Sequence, residues 1–103
     1  RMKRLYVVVR EDLQPGLQIA QACHAARAFT LEHPGVDVGE NLVVLGAQNE
    51  AELRSLTERL SPLPTTRFHE PDLGDSLTAA AFPGDAAKRL SCLPLALRCA
   101  APV

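Results

Sequence analysis

Apolar residues in this chain come in short blocks separated by charge or by turn formers. The first block, inside Arg4 to Arg10 (RLYVVVR), is β-branched and flanked by charge, which predicts a strand buried on both faces of a parallel sheet. Arg10-Glu11-Asp12 ends it. Pro15 suits the first turn of a helix, where its missing N–H would have no intrahelical partner. The helix is expected to run to His33 and to stop at Pro34-Gly35. On a helical wheel Ile19, Ala22, Cys23, Ala26 and Phe29 share one face. Leu17, Ala20, Gln21, His24, Ala28 and Leu31 share the opposite one, and Gln18, Ala25 and Glu32 form a narrow third stripe. A helix so nearly apolar all round is expected to be covered on more than one side.

After a loop from Val36 to Glu40, Asn41 to Ala47 (NLVVLGA) predicts a second buried strand. Asn49 with Glu52 makes a variant capping box, starting a helix whose core face is Leu53, Leu56 and Leu60. Pro62 and Pro64 end it. Thr65 to Glu70 predicts a third strand, Pro71 to Ser76 a turn-rich loop, and Leu77 to Phe82 a fourth strand closing on Pro83-Gly84. Asp85 is expected to cap a short helix through Leu90, and the apolar tail from Leu93 to Val103 is broken by Pro94 and Pro102. The order β-α-β-α-β-β-α predicts an α/β fold. It is a three-layer α/β/α arrangement with two crossovers, one hairpin and a mixed four-stranded sheet.

With 103 residues and no repeat or linker, one domain spanning 1–103 is expected. An apolar share of 47% and a charged share of 22% are close to the globular average and suggest neither a disordered nor a membrane-embedded chain. No stretch reaches the roughly 18 apolar residues of a membrane span. The run after Met2-Lys3-Arg4 is stopped by Arg10, short of the roughly 7–15 residues of a signal h-region. Arg1 ahead of Met2 reads as a remnant or a truncation point. Cys23, Cys92 and Cys99 are too few for a disulfide framework, which fits a reducing, cytoplasmic setting. A formal net charge of -1 argues against gripping a long duplex, so any nucleic-acid contact must be local.

Open α/β sheets bind ligands beyond the carboxyl ends of their parallel strands, here the turn from Arg10 to Gly16 and the start of the first helix. The free N–H groups of Gly16, Leu17 and Gln18 would favour an anion there. Gln21 and His24 lie three apart on an alanine-rich helix and so share a face. Asp12 in the preceding turn, with Glu70, Asp72 and Thr78 around the hairpin, supplies polar groups that could converge on them. A histidine beside a carboxylate can activate or orient water while Thr78 or backbone N–H groups hold a carbonyl oxygen, a set that suits hydrolysis. No GxSxG elbow and no suitably placed cysteine occur, so direct attack by water is the simpler route. Asp72 and Asp75 read as turn formers. Cys23 and His24 are adjacent on the helix, about 100° apart, so they cannot share a zinc ion. No metal or other cofactor is expected.

The run from Leu5 to Leu13 (LYVVVREDL), then Gly16 and Ala20 to Ala26 (AQACHAA), resembles the strand, turn and helix of the second, archaeal and eukaryotic class of peptidyl-tRNA hydrolases. His69 to Leu73 (HEPDL) with Leu77 to Ala80 (LTAA) is similar to the hairpin of a divergent branch, and the likeness covers about residues 4 to 90 in order. The resemblance implies a mixed four-stranded sheet, often dimeric, that cleaves the ester between a peptide and the terminal ribose of tRNA without a cofactor. By position it implies roles for Asp12, Gln21, His24, Glu70 and Thr78. Arg10, Gly16 and Arg27 are candidates to meet the acceptor end. One departure stands out: the family's lysines between the Asp-Leu turn and the helix are absent, and this chain reads Gln14-Pro15-Gly16-Leu17-Gln18. Losing a charge that stabilises an oxyanion costs roughly 2.7–4 kcal/mol.

Three functions stay open at this level: an esterase of peptidyl-tRNA, a non-catalytic module of the same fold that contacts tRNA or a protein, and a small-ligand regulatory domain. Fold alone does not choose among them.

Overall fold

The computed structural model describes residues 3–98. Four strands form one sheet in the order β2-β1-β4-β3: β1 Arg4–Arg10, β2 Asn41–Ala47, β3 Thr66–Glu70 and β4 Ser76–Pro83. β1 pairs parallel with β2 and antiparallel with β4, and β3 pairs antiparallel with β4. Three helices, α1 Pro15–Glu32, α2 Glu50–Arg59 and α3 Ala87–Leu90, complete the α/β/α layers that the sequence pattern predicts.

β1 is central and apolar on both faces, so its alternate side chains feed two cores. Leu5, Val7 and Val9 join Ala22, Ala25 and Phe29 of α1, with Ala79 and Ala81 of β4. Tyr6 and Val8 join Leu53, Leu56, Leu60 and Leu90 under α2 and α3, with Ala80 and Phe82 of β4. Asn49 caps α2 by accepting from the Glu52 amide at 2.9 Å, and Glu52 in return accepts from the Gln48 amide at 2.6 Å. α1 starts at Pro15 without a side-chain cap, and its C-cap residue His33 donates its amide to Phe29 at 2.8 Å.

Three expectations need correction. α1 is covered on one side only: Gln18, Gln21, Ala22, Ala25 and Phe29 are buried, whereas Ile19 is 54% and Leu31 70% exposed. The buried stripe takes in two glutamines: Gln21 is bonded at both ends of its amide, whereas Gln18 is bonded through Nε2 alone and its buried Oε1 has no partner among the described residues. Small alanines let the helix lie close to the sheet. β2 is an edge strand, exposed at Asn41 and Leu42 and buried only from Leu45 to Ala47. α3 has no side-chain cap, because Asp85 sits in a short 3-10 turn, Gly84–Ala86, that precedes it.

The tail answers the edge of β2. The Gly46 amide donates to the Pro94 carbonyl and the Ala96 amide to the Val44 carbonyl, both at 2.9 Å. Arg98 pairs with Glu11. The Glu11 side chain crosses the α carbon of Gly46, where a β carbon would overlap its carboxylate. The stretch 99–103, with Cys99, lies outside the described residues.

Candidate functional site

The hairpin joining β3 and β4 turns through Pro71–Leu73, with Gly74 and Asp75 at φ of 66° and 57°. An aspartate tolerates that left-handed conformation, in keeping with the turn-forming role read for Asp75. The hairpin also contains an irregular step. Phe68 pairs with Ala79 and the next residue, His69, pairs with Leu77, so Thr78 is an extra residue in β4. The bulge breaks the alternation: Leu77 packs under α2, whereas Thr78 and Ala79 both face α1.

Thr78 is thereby delivered to Gln21. Its hydroxyl donates to Gln21 Oε1 at 2.5 Å, with a longer contact of 3.4 Å to the Phe68 carbonyl. Gln21 Nε2 donates to Glu70 Oε1 at 2.7 Å, and Glu70 Oε2 accepts from the Asp72 amide at 3.3 Å. Thr78 is fully buried and Gln21 only 1% exposed, so this chain of bonds runs from the interior outward. The Gln21 amide holds the Glu70 carboxyl below the ordinary glutamate range, with help from the Asp72 amide and from the nearby charge of His24.

His24 is exposed one turn further along α1, on the flank that faces β3. Its ring stacks on Phe68 with centroids 4.8 Å apart and planes 10° from parallel. Neither ring nitrogen hydrogen-bonds a protein group among the described residues. Thr66, Phe68 and Glu70 alternate toward α1, where they meet Glu32, His24 and Gln21 in turn. Of the two polar residues singled out on α1, one is sealed inside and bonded to Glu70, and the other is open.

The other candidates divide. Asp12 stands apart from His24, because Arg10 binds it through two parallel bonds of 2.9 and 3.0 Å that pull the Asp12 carboxyl below its usual range. Arg10 also donates to the Leu77 carbonyl at 3.3 Å, and its pKa is raised, chiefly by Asp12. Gly16 lies exposed at the start of α1 with open space around it. Arg27 is exposed one turn beyond His24, and its guanidinium has no partner among the described residues.

Side chains to which the sequence reading gave no part in the site complete the surroundings. Phe68 orients the His24 ring, Gln18 ties the turn to α1 through the carbonyls of Leu13 (2.6 Å) and Glu11 (3.3 Å), and Glu50 accepts from the Leu77 amide at 2.8 Å. Only the proximity of Phe68 to Glu70 in β3, two residues apart on one face, could have signalled the first of these.

Cavities of about 260, 410 and 180 Å³ lie elsewhere, beside Lys3 and Asp85, between Arg59 and Arg89, and between Ile19 and Leu97. Among the described residues no three His, Cys, Asp or Glu side chains are grouped to hold a metal, and no helix is long and apolar enough to cross a membrane. No protein-family model matches the chain, and no curated protein matches its sequence.

Proposed function

We propose that this protein is an esterase of the peptidyl-tRNA hydrolase kind, acting on the ester between a peptide and the 3′ ribose of tRNA. The observation that carries the proposal is the bonded series from Thr78 through Gln21 to Glu70, ending beside the exposed, stacked ring of His24. In this reading His24 takes a proton from water as the water oxygen attacks the acyl carbon. Ionised Glu70 favours the imidazolium that forms. The carbon–oxygen bond to the ribose then breaks, and the leaving oxygen takes the proton back. The products are a free peptide carboxyl and a free ribose hydroxyl.

Thr78 acts here through Gln21, since its only hydroxyl proton is directed inward. Arg27 supports the reading as the cation three residues along the same flank, in place of the absent lysines. The uncapped start of α1 offers the amides of Gly16 and Leu17 to a phosphate of the acceptor end; that of Gln18, expected to be free, instead donates to the Gln14 carbonyl at 2.9 Å. Cleavage of an N-blocked aminoacyl-tRNA by purified protein, lost in His24→Ala, is the expected result. Equal rates for the two proteins, or no cleavage above background, would end the proposal.

A second reading, a module that binds without turnover, is favoured by the engagement of Arg10 with Asp12 and Leu77, which leaves less positive charge free for catalysis. Gel-shift titration against tRNA at two salt concentrations separates them: retention without cleavage selects the module. Self-association into a dimer belongs to the same proposal and is read by sedimentation.

A further inference from the structure

The peptide just ahead of the bulge is gripped from two directions. Pairing of β1 with β4 ends at Val9 and Ala79. Beyond it, side chains meet the main chain of Leu77: its amide donates to Glu50 Oε2 at 2.8 Å, and its carbonyl accepts from Arg10 Nη1 at 3.3 Å. Each grip is itself anchored, Arg10 by the two bonds to Asp12 and Glu50 by Arg54 at 2.8 Å. The helix dipole and the pair with Arg54 would account for an acidic residue in the first turn of α2. They do not account for a carboxylate that also reaches a strand amide 27 residues away.

We infer that Glu50 and Arg10 are positioning residues for the cluster on α1: by fixing the Leu77 peptide they hold the bulge that turns Thr78 onto Gln21, and so set the Gln21 amide against Glu70. The kinetic part rests on the hydrolytic reading; the geometric part does not. Without the grip, Leu77 and Thr78 could slip back toward regular alternation, carrying the hydroxyl to the α2 side.

The test compares Glu50→Ala, Glu50→Gln and, as a control on the same helix away from Leu77, Thr57→Ala. In Glu50→Ala the side-chain amide resonances of Gln21 are expected to move or broaden. Its kcat on N-blocked aminoacyl-tRNA is expected to fall by about tenfold to a hundredfold, with KM changed by no more than about twofold. Glu50→Gln keeps an oxygen for the Leu77 amide and restores both readouts, while Thr57→Ala alters neither. Unmoved Gln21 resonances in Glu50→Ala, or an equal loss of kcat in Thr57→Ala, would overturn the inference. If the wild type cleaves nothing, the hydrolytic reading falls and the resonances alone decide the positioning role. Should Glu50→Ala not fold, Arg10→Lys, which cannot hold Asp12 and Leu77 together, is read in the same way.

Discussion

Gln21 is the residue on which the cluster turns, because both ends of its buried amide are engaged and losing either partner leaves a buried polar group unmet. Thr78 serves the oxygen and Glu70 the nitrogen. Thr78→Val keeps the shape and removes the donor, leaving a buried acceptor unmet, and is expected to cost about 1–3 kcal/mol in urea unfolding. The carboxylates set a pH dependence. Glu70 and Asp12 both sit below their ordinary values, held there chiefly by Gln21 and Arg10 respectively. A folded value below the unfolded one means that the unfolded chain binds protons first. The stability these charges contribute is therefore complete above about pH 4–5, the usual carboxylate range, and is lost as pH falls through it toward the folded values. Unfolding midpoints should hold between neutrality and that range and then drop. A double variant, Glu70→Gln with Asp12→Asn, should flatten the drop, and an unchanged profile would contradict the assignment.

Among the elements, α2 and the edge of β2 offer the clearest readouts. Asn49→Ala removes the α2 cap and is expected to cost about 1 kcal/mol in thermal or urea unfolding. Gly46→Ala places a β carbon against the Glu11 side chain, which must swing aside and release Arg98. The amide of Ala96 should then exchange with solvent faster than in the wild type, while the core amides of β1 keep their protection. Much of this level was legible in the sequence. Short apolar blocks between charges and turn formers marked the strands, Pro15 and Asn49 marked two helix starts, and the α1 range differs from its expected end by the single residue His33. The buried side of α1 was not legible. A wheel weighs side chains by polarity, whereas Gln18 is buried through bonds to carbonyls of the preceding turn and Gln21 through bonds to the distant hairpin. Type and spacing put Gln21 and His24 on one flank of α1; the structure bonds Gln21 to Glu70, while neither ring nitrogen of His24 bonds a carboxylate among the described residues. The capture of Asp12 by Arg10 was not legible, since two residues in one turn compete for partners in ways that spacing does not express. Nor could the bulge be read. Leu77 to Phe82 is apolar or small throughout because both faces of β4 are covered, so a change of parity leaves no mark on the pattern.

For the molecule as a whole, the sheet has two edges with different protection. β3 forms one, carrying exposed Arg67 and His69, and charge on an edge discourages pairing with a second chain. β2 forms the other and is covered in its second half by the tail at Leu95. Ending the chain after Leu93 strips that cover from Val44 and Gly46, and is expected to raise self-association at high concentration as read by size-exclusion chromatography. An unchanged elution volume would show that the tail does not guard the edge. The single inserted residue in β4 has a broader consequence for anyone moving this constellation to another scaffold. Copying the amide, the imidazole and the carboxylate onto a regularly pleated hairpin would leave the threonine beneath the opposite layer, with its partner unserved. The irregular backbone step must be transplanted together with the side chains it aims.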